Sequence, residues 1–217
     1  MKKFKLFLLH KYEYLFFDFD GVILDSLPIK TDAFRELYMP YGNDVARKVV
    51  AHHSLNGGMS RFEKFRLYHR DYIGIQLTEQ EVHRLAAQFA DLVYEKVMRA
   101  PFIKGAREFL ELCREREKHC FCVSGTPEDE IKRVIQARGL MSFFRDIKGS
   151  PCSKTDNVRE LIKNYDVISE HAVFFGDAIN DLKAAQQNNI EFIGINYTGA
   201  ETGFKNFEQL LQGCEGI

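Results

Sequence analysis

Leu15-Phe16-Phe17-Asp18-Phe19-Asp20-Gly21-Val22 runs from large apolar side chains straight into two carboxylates at i and i+2, with a glycine directly behind them. An apolar and aromatic run closed by Gly reads as a buried strand of a parallel sheet. Side chains alternate along a strand, so Asp18 and Asp20 share a direction as long as the chain stays extended. Carboxylates at the carboxyl end of such a strand stand where open α/β sheets hold their ligands. Taken alone, the pattern is equally a solvated strand-to-turn junction, because Asp and Gly are ordinary turn residues. Three later segments decide between the two readings.

The chain of 217 residues is 45% hydrophobic and 13% aromatic, enough for one large domain or a domain with a smaller insert. A formal net charge of −1 gives no basic footprint, so nucleic acid is not expected as a partner. The five cysteines, Cys113, Cys120, Cys122, Cys152 and Cys214, fit neither a disulfide framework nor a zinc site. Cys120 and Cys122 lie in an apolar run and read as buried free thiols, which points to a reducing cytoplasm. Lys2 and Lys3 before Phe4 to Leu9 faintly imitate a signal peptide, but His10 and Lys11 end the run early and no small-residue cleavage site follows. That stretch reads as an extension or an early strand. No later apolar run is long enough to span a membrane.

Onward from Gly21, Val22 to Ser26 is expected to continue extended until Pro28 interrupts. Helices are expected from Thr31 to Tyr38 and from Val45 to His53. Ser60 with Glu63, and Thr78 with Glu81, are two capping boxes that open further helices. No strand is evident between Pro28 and about Met98, so this is a helical block. Its Phe62, Phe65 and Phe89 read as core, and His52 and His53 as surface histidines. From Pro101 the pattern alternates: strands at His119 to Val123, Phe143 to Lys148, Ala172 to Phe175 and Phe192 to Asn196, with helices between. Alternation of this kind implies βαβ units, a parallel sheet and right-handed crossovers.

The expected strand ends carry one kind of equipment. Asp18 and Asp20 close the first. Ser124 and Gly125 close the second, where a hydroxyl and free N–H groups before a helix suit an anion. Lys154 stands near a helix start, and Asp177 with Asp181 closes another strand. Strand-end carboxylates are oxygen ligands for a hard ion such as Mg²⁺. A carboxylate nucleophile, a metal, a lysine and N–H donors together suit phosphoryl transfer, where positioning and charge neutralisation do most of the work.

Four segments in order, Asp18-Phe19-Asp20-Gly21-Val22, Val123-Ser124-Gly125-Thr126, Lys154 and Gly176-Asp177-Ala178-Ile179-Asn180-Asp181, resemble the motifs of the haloacid dehalogenase (HAD) superfamily of hydrolases. The resemblance runs from about Tyr14 onward. It implies an α/β fold: a Rossmann-like parallel-sheet core of residues 1–27 and 99–217, with an inserted α-helical cap of residues 28–98. Asp18 to Ser26 and Gly149-Ser150-Pro151 before Lys154 look like the phosphoglycolate phosphatase and β-phosphoglucomutase branch. By that resemblance Asp18 is the nucleophile that forms an aspartyl-phosphate. Asp20 is the general acid and then the base. Ser124, the Gly125 amide and Lys154 hold the phosphate, and Mg²⁺ is bound by Asp18, the Asp20 carbonyl and Asp177, with Asp181 as a direct or indirect partner.

In the cap, Asn56-Gly57-Gly58-Met59-Ser60-Arg61 resembles the substrate loop in which mutases place a Ser-Arg pair, so Ser60 and Arg61 are candidate substrate ligands. Lys30 stands where many relatives have His, which weakens the mutase reading but leaves Lys30 able to meet a substrate anion. The expected function is a Mg²⁺-dependent, cytoplasmic phosphatase of a small phosphorylated metabolite such as a sugar phosphate. The alternative is a β-phosphoglucomutase-like phosphomutase. A phospho-aspartate signalling protein is a third reading, opposed by Asp20 and by the lid. Oligomeric state is left open.

Overall fold

A computed structural model describes residues 8–197 and 199–212. Its sheet has six strands: β1 (Tyr14–Phe17), β2 (His119–Pro127), β3 (Asp146–Ser150), β4 (Ala172–Gly176), β5 (Glu191–Ile195) and β6 (Gly203–Phe204). They lie in the order β3-β2-β1-β4-β5-β6, and every pairing is parallel. The chain builds outward from β1 through β2 and β3, then returns to place β4 on the other side of β1. The strand order therefore reverses between β1 and β4, the position at which such sheets form a ligand crevice at their carboxyl ends.

Alternation along the strands assigns the two faces. Phe16, Phe121 and Phe174 pack with Val158, Leu161 and Ala184 on one side. Phe17, Cys122 and Phe175 pack with Phe109, Ile131 and Phe207 on the other. The helices that supply those partners are α5 (Ala106–Glu115), α6 (Glu128–Ala137), α7 (Lys154–Asn164), α8 (Ile179–Gln187) and α9 (Phe207–Gln212). A strand buried on both faces has no polar alternate positions, which is why β1 and β4 read as continuous apolar runs.

Between β1 and α5 the described residues hold four α-helices and no named strand: α1 (Leu27–Tyr38), α2 (Asn43–Leu55), α3 (Arg61–Tyr68) and α4 (Glu79–Met98). Phe34, Phe65 and Phe89 meet at ring-centroid distances of 4.5–6.2 Å and form the centre of this block. Both halves of the capping box at Thr78 and Glu81 are formed. The chain leaves and re-enters the sheet region side by side, with Asp25 N–H donating to Pro101 O and Ile103 N–H to Ile23 O.

Three local expectations need correction. Residues 22–26 are not extended: Gly21 takes φ +85°, and Ile23 and Leu24 N–H both donate to Phe19 O. The buried Val22, Ile23 and Leu24 make that turn part of the core, so burial rather than strand propensity set their type. Pro28 begins helix α1 instead of interrupting the chain, since the first helical turn has no N–H partner for proline to lose. Of the N-terminal stretch, 4–7 lie outside the described residues, while 8–11 are helical with Leu8 and Leu9 buried. Cys113, Cys120 and Cys122 are buried free thiols and Cys152 an exposed one; Cys214 lies outside the described residues. No helix among the described residues is long and apolar enough to cross a membrane.

Candidate active site

Asp18 follows β1 and is 3% exposed, its N–H still paired with Phe175 O of β4. Its Oδ1 accepts from Phe19 N–H at 2.7 Å and lies 2.8 Å from Lys154 Nζ. Lys154, the first residue of α7, also donates to Asp181 Oδ1 at 2.5 Å. The other oxygen of Asp181 accepts from the N–H groups of Asp177 and Ala178, so this carboxylate fixes the turn after β4. Asp18, Asp177 and Asp181 place carboxylate oxygens within 4.8 Å of one another. Asp177 Oδ1 is buried and receives no hydrogen bond. A buried carboxylate oxygen without a donor is costly and rare.

Two glycines make this packing possible. A Cβ on Gly21 would stand 2.2 Å from Asp177 Oδ2, and one on Gly176 would stand 2.3 Å from Asp181 Cβ. With its positive φ, Gly21 is barred to other residues twice over.

The electrostatics follow from crowding three acids around one lysine. Burial pushes the Asp18 carboxyl up to about 7 against the opposing charge of Lys154, and Asp181 and Asp20 add to the rise. Burial, then the charges of Asp18 and Asp181, raise Asp177 well above the usual carboxylate range. Burial opposes the charge on Lys154, but Asp18 and Asp181 outweigh it and raise its pKa. A second cation of hard character would relieve this excess of negative charge, and oxygen is the donor type such a cation takes. The acidic cluster therefore fits a divalent metal.

Asp20 sits apart from the cluster, with both carboxylate oxygens engaged. Ser26 Oγ donates to Oδ1 at 2.6 Å; Lys30 Nζ and Thr126 Oγ1 reach Oδ2 at 2.5 and 3.0 Å. Burial alone would raise this carboxyl, but the Lys30 charge and these hydrogen bonds bring it down to about 2. Ser124 is buried at the bend of β2 and accepts from Thr126 N–H at 3.1 Å. A Cβ on Gly125 would lie 2.8 Å from Gly58 O, so the loop before α3 closes directly over this strand end.

The loop and helix α3 roof a cavity of about 30 Å³, lined by Asp18, Asp20, Lys30, Arg61, Lys64 and Gly125 among others. Arg61 is buried there. Its guanidinium bonds Glu130 Oε1 of α6 at 2.8 Å and lies 4.6 Å from the centre of the Phe89 ring. Ser60 caps α3, accepting from Phe62 N–H, and lines a neighbouring cleft of about 190 Å³ with Ser150, Lys154 and Lys183. Lys30 faces the first cavity while paired with Asp20.

Arg61 and Glu130 are 5% and 10% exposed and join α3 to α6. Removing one member of a buried pair strands the other charge, which typically costs about 3–5 kcal/mol. Arg61→Met and Glu130→Gln should each destabilise the fold to that extent, and the double variant little more than either. A urea-denaturation double-mutant cycle with coupling below about 0.5 kcal/mol would show that the pair does not form in solution.

Sequence reasoning missed Ser26, Thr126, Glu130, Lys64 and His53. His53, read as a surface residue, is 3% exposed and accepts from Lys64 Nζ at Nδ1, 2.8 Å away. The signal for Lys64 was in the helical spacing: Arg61, Lys64, Phe65 and Tyr68 stand at i, i+3, i+4 and i+7 and are the buried residues of α3. Glu130 is an acid in the first turn of α6, where the helix dipole alone accounts for its residue type.

The chain belongs to the haloacid dehalogenase-like hydrolase family, whose profile matches residues 12–189. It is 25% identical over 203 residues to a phosphoglycolate phosphatase of Psychrobacter arcticus, covering 84% of this chain and 83% of that protein. With a phosphorylated carbohydrates phosphatase of Thermotoga maritima it shares 23% identity over 197 residues, 83% of each chain. Among solved structures, a β-phosphoglucomutase of Clostridium difficile superposes with a TM-score of 0.77 at 19% identity, over 92% of this chain and 93% of that one.

Proposed function

We propose that this hydrolase is a Mg²⁺-dependent phosphatase of a small phosphorylated metabolite, acting through an aspartyl-phosphate on Asp18. The observation that carries the reading is the cluster at the strand reversal: Asp18 against Lys154, beside the donorless oxygen of Asp177. The curated relatives described above are phosphatases, whereas the mutase likeness rests on fold at 19% identity. Hydrolysis is therefore favoured over return of the phosphoryl group to a second hydroxyl.

Phe19 N–H and Lys154 hold one oxygen of Asp18, which leaves the other to attack phosphorus and expel the substrate's alkoxide. Lys154, Ser124 and the Gly125 amide are placed to take up charge on the phosphoryl oxygens. Asp20 gives a proton to the leaving oxygen, then draws one from the water that cleaves the aspartyl-phosphate. Its contact with Lys30 favours the ionised state needed for the water step. The acid step asks Lys30 to turn from Asp20 to another oxygen, and a substrate oxygen is the natural candidate. Mg²⁺, held by Asp18, the Asp20 carbonyl and Asp177, with Asp181 fixing the Asp177 turn, would neutralise charge between nucleophile and phosphate. Residues 28–98 act as the cap over this site, with the paired segments at 23–25 and 101–103 as its stem.

The test is phosphate release from a panel of phosphorylated metabolites and p-nitrophenyl phosphate, with Mg²⁺ and with EDTA. Turnover that is saturable and lost in EDTA is expected; release from none of them would overturn the reading. Asp177→Ala should raise the Mg²⁺ concentration for half-maximal activity by about tenfold or more, since it deletes an oxygen ligand. An unchanged metal requirement would remove Asp177 from the site.

A further inference from the structure

The charges in and beside the cavity under α3 can be paired off. Lys154 has Asp18 and Asp181, Lys30 has Asp20, and Arg61 has Glu130, each within 2.8 Å. Lys64 is different. It is 1% exposed, yet no carboxylate of a described residue lies in salt-bridge range. Its ammonium meets the His53 ring nitrogen at 2.8 Å and the face of Phe34 at 5.5 Å. His53 is itself kept neutral, because burial and then the Lys64 charge push it down to about 2. A neutral imidazole uses Nδ1 as acceptor here and supplies no counter-charge. Phe34 and Phe89 complete the wall around it.

A buried ammonium with one hydrogen-bond partner and spare donors is an expensive arrangement unless an anion arrives to complete it. Lys64 and His53 belong to the roof, whereas the phosphoryl group is served from the sheet side by Lys154, Ser124 and Gly125. Building on the phosphatase reading, we propose that Lys64 recognises the leaving group of the substrate by binding an anionic oxygen group, a carboxylate or a second phosphate, on the alcohol side of the ester. The roof then selects for acid-bearing alcohols, and the small cavity beneath it, about 30 Å³, favours short ones. Burial and the nearby Lys30 and Lys154 bring the Lys64 pKa down to about 7, so an arriving anion also restores the full charge.

Three esters with a two-carbon skeleton test this: 2-phosphoglycolate, ethylene glycol bisphosphate and 2-hydroxyethyl phosphate carry a carboxylate, a second phosphate and a neutral hydroxyl. The wild type should prefer at least one charged ester over the neutral one by about tenfold to a hundredfold in kcat/KM, the scale of a charge-assisted hydrogen bond. Which charged ester wins identifies the anion. Lys64→Met and Lys64→Gln should both collapse that preference towards unity, Gln keeping a hydrogen bond to His53 without the charge. A preference that survives both substitutions, or a wild type that treats the three esters alike, would overturn the assignment of Lys64. Either result leaves the phosphatase reading standing if p-nitrophenyl phosphate is still turned over. Release from none of the four overturns both.

Discussion

Asp18→Asn should lower phosphate release by at least about 10³-fold, because an amide does not attack phosphorus. The fold should survive. Asp18 carries a charge that burial disfavours, as its rise to about 7 shows, so replacing it by a neutral isostere of equal size leaves no unpaired anion. Lys154 keeps its 2.5 Å partner Asp181, and Phe19 N–H keeps an oxygen to which it can donate. The urea midpoint of the variant should therefore match or exceed that of wild type. Near-wild-type turnover of p-nitrophenyl phosphate by a folded Asp18→Asn protein would place the nucleophile elsewhere. A loss of activity together with a much lower midpoint would reduce Asp18 to a structural role.

The parts of this molecule that were legible in the sequence are those where one physical demand outweighed all others. Strands β1 and β4, buried on both faces, leave no room for polar residues, and their apolar runs could be read directly. The acids and Lys154 at the strand ends were readable because short loops after buried strands rarely need charge for packing. The turn at 21–24 was not legible. Val22 and Ile23 have strand propensities, and only the left-handed Gly21 with the burial of both side chains bends the chain. Helix α3 was obscured in another way. Arg61 and Lys64 look solvated in sequence, and the stripe that buries them becomes decisive only once α4 and α6 supply Phe89 and Glu130. Pairs such as Asp20 with Thr126, 106 positions apart, are set by the sheet order and by nothing local.

Lys64→Met should make the protein more stable, even though it should damage substrate choice. The sign follows from linkage. In the fold the Lys64 ammonium has a pKa of about 7 against the ordinary 10.5, so it is held in its charged form at a cost. The unfolded chain binds that proton more readily, so wild-type stability rises with pH between those two values. The penalty is fully present below about pH 7 and gone above about pH 10.5. Methionine fills the same aromatic pocket of Phe34 and Phe89 with no charge to desolvate. The variant should exceed wild type by roughly 2–4 kcal/mol near pH 6.5, a burial cost on the order of three pKa units after some relaxation. The gap should then close by about 1.4 kcal/mol per pH unit above pH 7. Urea unfolding of both proteins at matched pH values measures it, and titrations common to the two cancel in the difference. A variant less stable than wild type at pH 6.5, or a gap that does not shrink with pH, would mean that Lys64 already has a counter-charge in the fold. A buried cation retained at such a cost, with no carboxylate in salt-bridge range, is the pattern of a binding residue, whose stabilising partner is the ligand itself.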